Sequence, residues 1–106
     1  ASPLAQPKNI FFGHIISSIC GLIVIYFFDV TYLSIGLSVG LAVSLMMVTK
    51  TVHPPAGANP IIIMMGNEGF SFLLMPISAG AAILVLYAVI FNKYIYKREY
   101  PLIKSK

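Results

Sequence analysis

The chain has 106 residues, 58% of them hydrophobic and 9% charged, with a mean hydropathy of +0.91 and a formal charge of +4. Soluble domains carry about 25% charged residues, and a domain this small leaves much of its surface exposed, so the composition argues against a water-soluble globule and for a bilayer as solvent. Five of the seven Lys/Arg fall in the last fourteen positions, at Lys93, Lys97, Arg98, Lys104 and Lys106; that is a juxtamembrane basic tail with no nucleic-acid-binding module in it.

Residues 1–8, ASPLAQPK, are polar and broken by proline. The first apolar segment, 9–28, carries no formal charge although it contains His14. Its length is that of a helix spanning the hydrocarbon core and exceeds a signal-peptide core. The lone cysteine, Cys20, lies within it and has no intrachain disulfide partner. Asp29, Val30 and Thr31 make a short connection to the second segment, 32–48, an uncharged run at the short end of the spanning range. A third long segment runs over 70–91 and a basic tail over 92–106. Phe27, Phe28 and Tyr32 at one turn, and Phe91, Tyr94 and Tyr96 at the last exit, suit interfacial belts. Rows of small residues, Gly13-Ser17-Gly21 and Gly36-Gly40 with Ser34, Ser38 and Ala42 beside them, offer close helix packing within or between subunits.

Between the second and third segments lies TKTVHPPAGANP, residues 49–60. Pro54 and Pro55 end the preceding helix, because the residue before a proline is pushed out of helical geometry, and they suit the first turn of a new one. The new helix, 56–65, would reach only about 15 Å, half the hydrocarbon thickness. It is expected to be a re-entrant half-helix, or an interfacial one, returning to the side at which the second segment ends, with Pro60 bending it near its start. Its opening N–H groups, at Ala56 and Gly57, favour an anion. Lys50, Thr51 and His53 stand just upstream, and His14 is the other ionisable group inside a span. These six residues form the expected substrate site, with Pro54 and Pro55 as its structural motif. The alternatives are a snorkelling Lys50, a capping or packing His53 and a structural His14. Glu68 reads as a loop carboxylate, and Pro76 as a kink freeing the Phe72 carbonyl. Two histidines without a cysteine or carboxylate constellation make no convincing metal set, no cofactor is expected, and no catalytic constellation is evident.

The blocks SPLAQPKN at 2–9, GH at 13–14, TVHPPAGA at 51–58 and FSFLLMP at 70–76 occur in an order that resembles the HPP family of integral membrane proteins, named for the motif seen here as His53-Pro54-Pro55. The resemblance covers essentially the whole chain and implies four spans, of which this chain would lack the first and so be a C-terminal portion. Pro60 departs from the helix-compatible residues usual in the family at that point. Plastid members are linked to nitrite transport, some bacterial members are fused to regulatory modules, and a bacterial cell membrane or a plastid membrane is the implied location. The fold expected is an all-α membrane domain of three transmembrane helices plus the half-helix, carrying a small anion such as nitrite and assembling as a homo-oligomer. The alternative is a structural or regulatory membrane subunit. Three spans would place Ala1 and 50–55 opposite the basic tail.

Overall fold

The computed structural model describes Ser2 to Leu102, and every regular element within those residues is helical. A single 3₁₀ turn, Pro3–Ala5, leads into helix α1, Pro7–Phe27. The helix begins two residues before the expected Asn9, because Pro7 fits a first turn in which no N–H is needed. Helix α2, Tyr32–Val48, has the limits expected. Its start is set by a capping box: Thr31 Oγ1 accepts from the Ser34 N–H at 3.1 Å and Ser34 Oγ from the Thr31 N–H at 2.8 Å. At its end Thr49 Oγ1 donates to the Leu45 carbonyl at 2.7 Å, and Lys50 turns the chain with φ of 58°.

Helices α1 and α2 pack along rows of small side chains. On α2 the buried row is Ser34, Ser38, Ala42 and Met46, one residue every fourth position. Gly36 and Gly40 lie on the exposed side, with nothing within 4 Å of where a Cβ would stand. The small row of α1 serves a different purpose. A Cβ on Gly13 would lie 2.9 Å from the Thr51 carbonyl oxygen, and one on Gly21 would lie 2.9 Å from the Pro60 Cα. Gly13 and Gly21 are therefore the seat of the HPP segment.

That segment is a 3₁₀ helix, Pro54–Ala58, followed by helix α3, Asn59–Gly66. The α-helix thus starts three residues later than the expected Ala56, and Pro60 falls in its first turn, where the missing N–H removes nothing; the expected bend is not needed. The direction of the segment also differs from the expected return. Asn9 Nδ2 donates to the Val52 carbonyl at 2.7 Å, and His53 Nδ1 to the Leu4 carbonyl at 2.9 Å, which places its start at the N-terminal end of α1. Its end is elsewhere: Met65 shares a groove with Val30, Thr31 and Ile35, and residues 67–70 share another with Tyr26 and Phe27. The segment runs the full length of α1. A 3₁₀ helix rises about 2.0 Å per residue against about 1.5 Å for an α-helix, so the two pieces together reach about 22 Å where an eight-residue helix alone would reach about 12 Å.

The last helix, Leu73–Ile95, carries a break near its start. The expected kink at Pro76 is centred on the preceding residue, Met75, whose φ and ψ of −137° and 123° are extended, as a residue before proline prefers. Ser78 Oγ donates to the Leu73 carbonyl at 2.6 Å, bridging the break. Regular helix α4, Ala79–Ile90, follows, then a widened turn to Ile95, four residues beyond the expected end. Most α4 side chains are exposed, among them Ile83, Leu84, Leu86 and Tyr87. Tertiary packing in water would cover such a face; hydrocarbon need not.

Beyond Ile95 the chain turns back. The Arg98 N–H donates to the Asn92 carbonyl at 2.9 Å, and the Arg98 guanidinium also meets the Asn92 side-chain oxygen. Tyr100 is buried, and its hydroxyl donates to the Ala5 carbonyl at 2.7 Å; the Leu102 N–H donates to Gln6 Oε1 at 2.6 Å. Burial pushes the Tyr100 phenol above its ordinary range. The described part of the tail thus touches the N-terminal turn, and the expectation that 50–55 lie opposite the tail is corrected: Val52 and His53 bond the same end of α1 and its leading turn. Lys104, Lys106 and Ala1 lie outside the described residues. Helices α1 and Leu73–Ile95 are long and apolar enough to cross a membrane, whereas α2 is apolar but shorter.

Candidate functional site

A polar side chain in an apolar bundle is costly unless it is hydrogen-bonded. The chain gathers several at one level of α1. Asn9, Gly13, His14, Ser17 and Gly21 share a face of that helix through their three- and four-residue spacing. The two glycines let the HPP backbone approach, and the side chains between them reach it. His14 and His53 meet edge to face, with ring centroids 5.2 Å apart. Asn59, at the first position of α3, brings its amide nitrogen to 2.7 Å from His14 Nδ1, 3.3 Å from Ser17 Oγ and 3.4 Å from the His14 carbonyl. Asn59 and Ser17 are buried, His53 is 9% exposed, and His14 is half-buried.

These bonds assign the protons on both rings. The Leu4 carbonyl can only accept, so His53 carries its proton on Nδ1 and leaves Nε2 as a bare acceptor. The Asn59 amide nitrogen can only donate, and its approach to the His14 carbonyl fixes which end of the amide faces that way. His14 Nδ1 is therefore the acceptor, and its Nε2 carries the proton. Neutral, the pair carries one free donor, on His14, and one free acceptor, on His53, on rings whose centroids are 5.2 Å apart.

The residues expected to form a site are only partly brought together. His14 and His53 meet. Thr51 is buried beside them: its carbonyl lies against Gly13, and its hydroxyl is 2.7 Å from that of Thr49. Ala56 is fully buried, and its N–H is bound to the His53 carbonyl at 2.9 Å, so it is packing and not an open donor. Gly57 is half-buried with open space at its Cβ position. Lys50 is exposed on the turn before the motif. Pro54 and Pro55 are exposed and open the 3₁₀ helix. Sequence reasoning missed Asn59, Ser17 and Asn9. Asn59 had a legible signal, being the one side-chain amide between residues 10 and 66. Among the described residues no group of three His, Cys, Asp or Glu comes together, so the two imidazoles stand two ligands short of a tetrahedral metal site.

Among the described residues three buried side-chain oxygens have no partner: Asn9 Oδ1, Ser18 Oγ and Ser38 Oγ. Asn9 holds the residue before His53 through its amide nitrogen, while its amide oxygen is unfilled.

A family model described as HPP, transmembrane region, matches residues 1–101. Two transmembrane proteins of Dictyostelium discoideum are each 39% identical to the chain, over 109 and 108 residues. The alignments cover 95% and 94% of this chain but only 38% and 35% of those proteins, so the chain spans little more than a third of each relative. The relatives come from an amoeba and point to neither a bacterial nor a plastid membrane. No solved structure matches.

Proposed function

We propose, from the premise that the chain belongs to the HPP transmembrane family, that this membrane protein forms part of a non-enzymatic route for small anions, with nitrite as the leading substrate. The observation that carries the reading is the His14–His53–Asn59 cluster, set where the HPP segment breaks from 3₁₀ to α-helix inside an otherwise apolar bundle. Broken helices at membrane depth are tolerated where they are buried in protein or line a cavity, and transporters place binding groups at such breaks. The His14 Nε2–H supplies a donor there. The nitrite link of plastid family members, expected from the resemblance, agrees with an anion as ligand.

In this reading α1, α2, the HPP segment and Leu73–Ile95 each cross the membrane, the third as a broken span in place of a re-entrant loop. Lys8, Lys50, Lys93, Lys97 and Arg98 then all lie at the end where the N-terminal turn meets the tail, while Asp29 and Glu68 lie at the other. The positive-inside bias puts the basic end on the cytoplasmic side. Single cysteines at Ser2 and Glu99 should therefore be labelled from the same face of sealed vesicles, and a cysteine at Glu68 from the opposite face. Labelling of Ser2 and Glu99 from opposite faces would contradict four crossings.

Uptake of nitrite, nitrate, formate and chloride into proteoliposomes tests the function directly. Saturable uptake of any of them supports transport. Absence of flux from an intact, correctly inserted protein supports the second reading, a structural or regulatory subunit. That reading draws on the bonds that tie Asn59 to His14 and Ser17, and His53 to the Leu4 carbonyl, within the chain. Lys50→Gln provides a finer check. The side chain is exposed, and an exposed charge pair is worth about 1 kcal/mol or less, so apparent affinity should fall by less than about fivefold. A tenfold loss would move the binding groups out to the turn.

A route needs more wall than one such bundle supplies. The exposed Gly36–Gly40 row on α2, opposite its buried row, is the surface through which a homo-oligomer would form. Native mass measurement showing an active monomer would remove that part of the reading.

A further inference from the structure

We propose that the His14–His53 pair binds a small anion together with one proton, the proton residing on His53 Nε2. This deepens the transport reading and rests on it for function, though not for binding.

The two rings are not equivalent as bases. Protonating His53 at its bare Nε2 leaves the Nδ1–H bond to the Leu4 carbonyl in place and makes it charge-assisted. Protonating His14 would have to occur at Nδ1, where the Asn59 amide already donates. That would set two donors against each other, or turn the amide over and remove its bonds to Ser17 Oγ and the His14 carbonyl. The proton therefore goes to His53, taken from a hydronium ion, and His14 stays neutral. The pair then presents two Nε2–H donors on rings 5.2 Å apart, within reach of one small anion.

Among the described residues no carboxylate bonds either imidazole. The N-terminal turn brings the Leu4 carbonyl, α1 brings Gly13 and His14, and α2 brings the Met46 thioether near Gly13. Asp29 and Glu68 are at the opposite end of the bundle. Glu99 is exposed on the tail, and Lys8 and Lys50 are exposed cations. An imidazolium in this place is unpaired, which is costly in a low-dielectric bundle; an anion alone is equally unpaired. Each relieves the other, so binding of one strengthens binding of the other by the same factor. What enters is electrically neutral, and the driving force is a proton gradient in place of the membrane potential.

Nitrogen-15 NMR of the histidines in nanodiscs tests the binding step. At alkaline pH His53 should show the Nδ1–H tautomer and His14 the Nε2–H tautomer. On acidification the added proton should be found on His53 Nε2, the bare nitrogen, and not on His14 Nδ1, where Asn59 donates. Nitrite at about ten times its dissociation constant should raise the His53 midpoint by about one pH unit, as follows when the anion binds only the protonated form. Proteoliposomes with the membrane potential clamped at zero test the coupling. With the initial rate in protein-free vesicles subtracted, an external medium one pH unit more acid than the lumen should speed nitrite entry and drive it toward about tenfold accumulation. His53→Asn keeps a donor for the Leu4 carbonyl but cannot take the proton, and it should abolish the response to the gradient. A His53 midpoint unmoved by nitrite, nitrate, formate and chloride would overturn the proposal, as would His14 titrating first or uptake that follows potential but not the pH gradient. A midpoint that moves while no anion crosses would sustain the binding site and remove the transport reading.

Discussion

Gly21→Val should detach the HPP segment from α1 and cost the fold about 1–3 kcal/mol, the range for over-packing a close contact. Even the first carbon of the new side chain would stand 2.9 Å from the Pro60 Cα and 3.5 Å from the Ile63 Cβ. The first of these is backbone, within the first turn of α3, and it has no rotamer through which to yield. Moving α3 away also lifts Asn59 off His14 and Ser17, so the polar cluster would lose its bonds in the same step. Gly36→Val on α2 is the matched control. Nothing lies within 4 Å of its Cβ position, so the monomer fold should change by less than about 0.5 kcal/mol. Denaturation in a fixed detergent, followed by helical circular dichroism, compares the two. Equal midpoints for both variants would show that Gly21 is not a seat for the segment. A selective loss of oligomer in Gly36→Val would assign the exposed row to subunit contact.

Asn59→Leu is expected to abolish transport and to lower stability by about 1–3 kcal/mol. The substitution leaves the His14 Nδ1 and the fully buried Ser17 hydroxyl without their donor in a low-dielectric setting, and an unmade buried bond carries the full desolvation cost of the group left behind. Replacing His14 as well removes its share of that penalty and leaves only that of Ser17, so His14→Leu combined with Asn59→Leu should regain part of the lost stability. Transport should not return, because the double variant has neither the positioned imidazole nor the amide that sets its tautomer. The cycle separates a packing role from a functional one. If the double variant is destabilised by the sum of the two single losses, the residues act independently and the bond between them is not what holds α3 in place. If stability and uptake both return, the cluster is structural alone.

The membrane character of this protein and the limits of α2 were legible in the sequence, because they depend on neighbours along the chain. An apolar run of spanning length makes α1 whatever it packs against, and α2 kept its expected limits because Thr31 and Ser34 cap one end locally and the polar turn at Thr49 and Lys50 closes the other. Likewise, His53-Pro54-Pro55 as a stop and restart follows from the stereochemistry of proline, and Met75 shows the same rule at Pro76. What only the tertiary structure decided is where these pieces go. Whether residues 53–66 return or run the length of α1 depends on contacts such as Asn59 with His14, 45 positions apart, and Asn9 with Val52, 43 apart. No local pattern distinguishes Gly13-Ser17-Gly21, which seats the motif, from Gly36-Gly40, which faces outward. The contact of Tyr100 with the N-terminal turn, and the tautomers of the histidines, follow from the same long-range docking. Periodicity and propensity act over a few residues, whereas the partner of a buried polar group is chosen by whichever distant donor or acceptor the packed helices bring within about 3 Å.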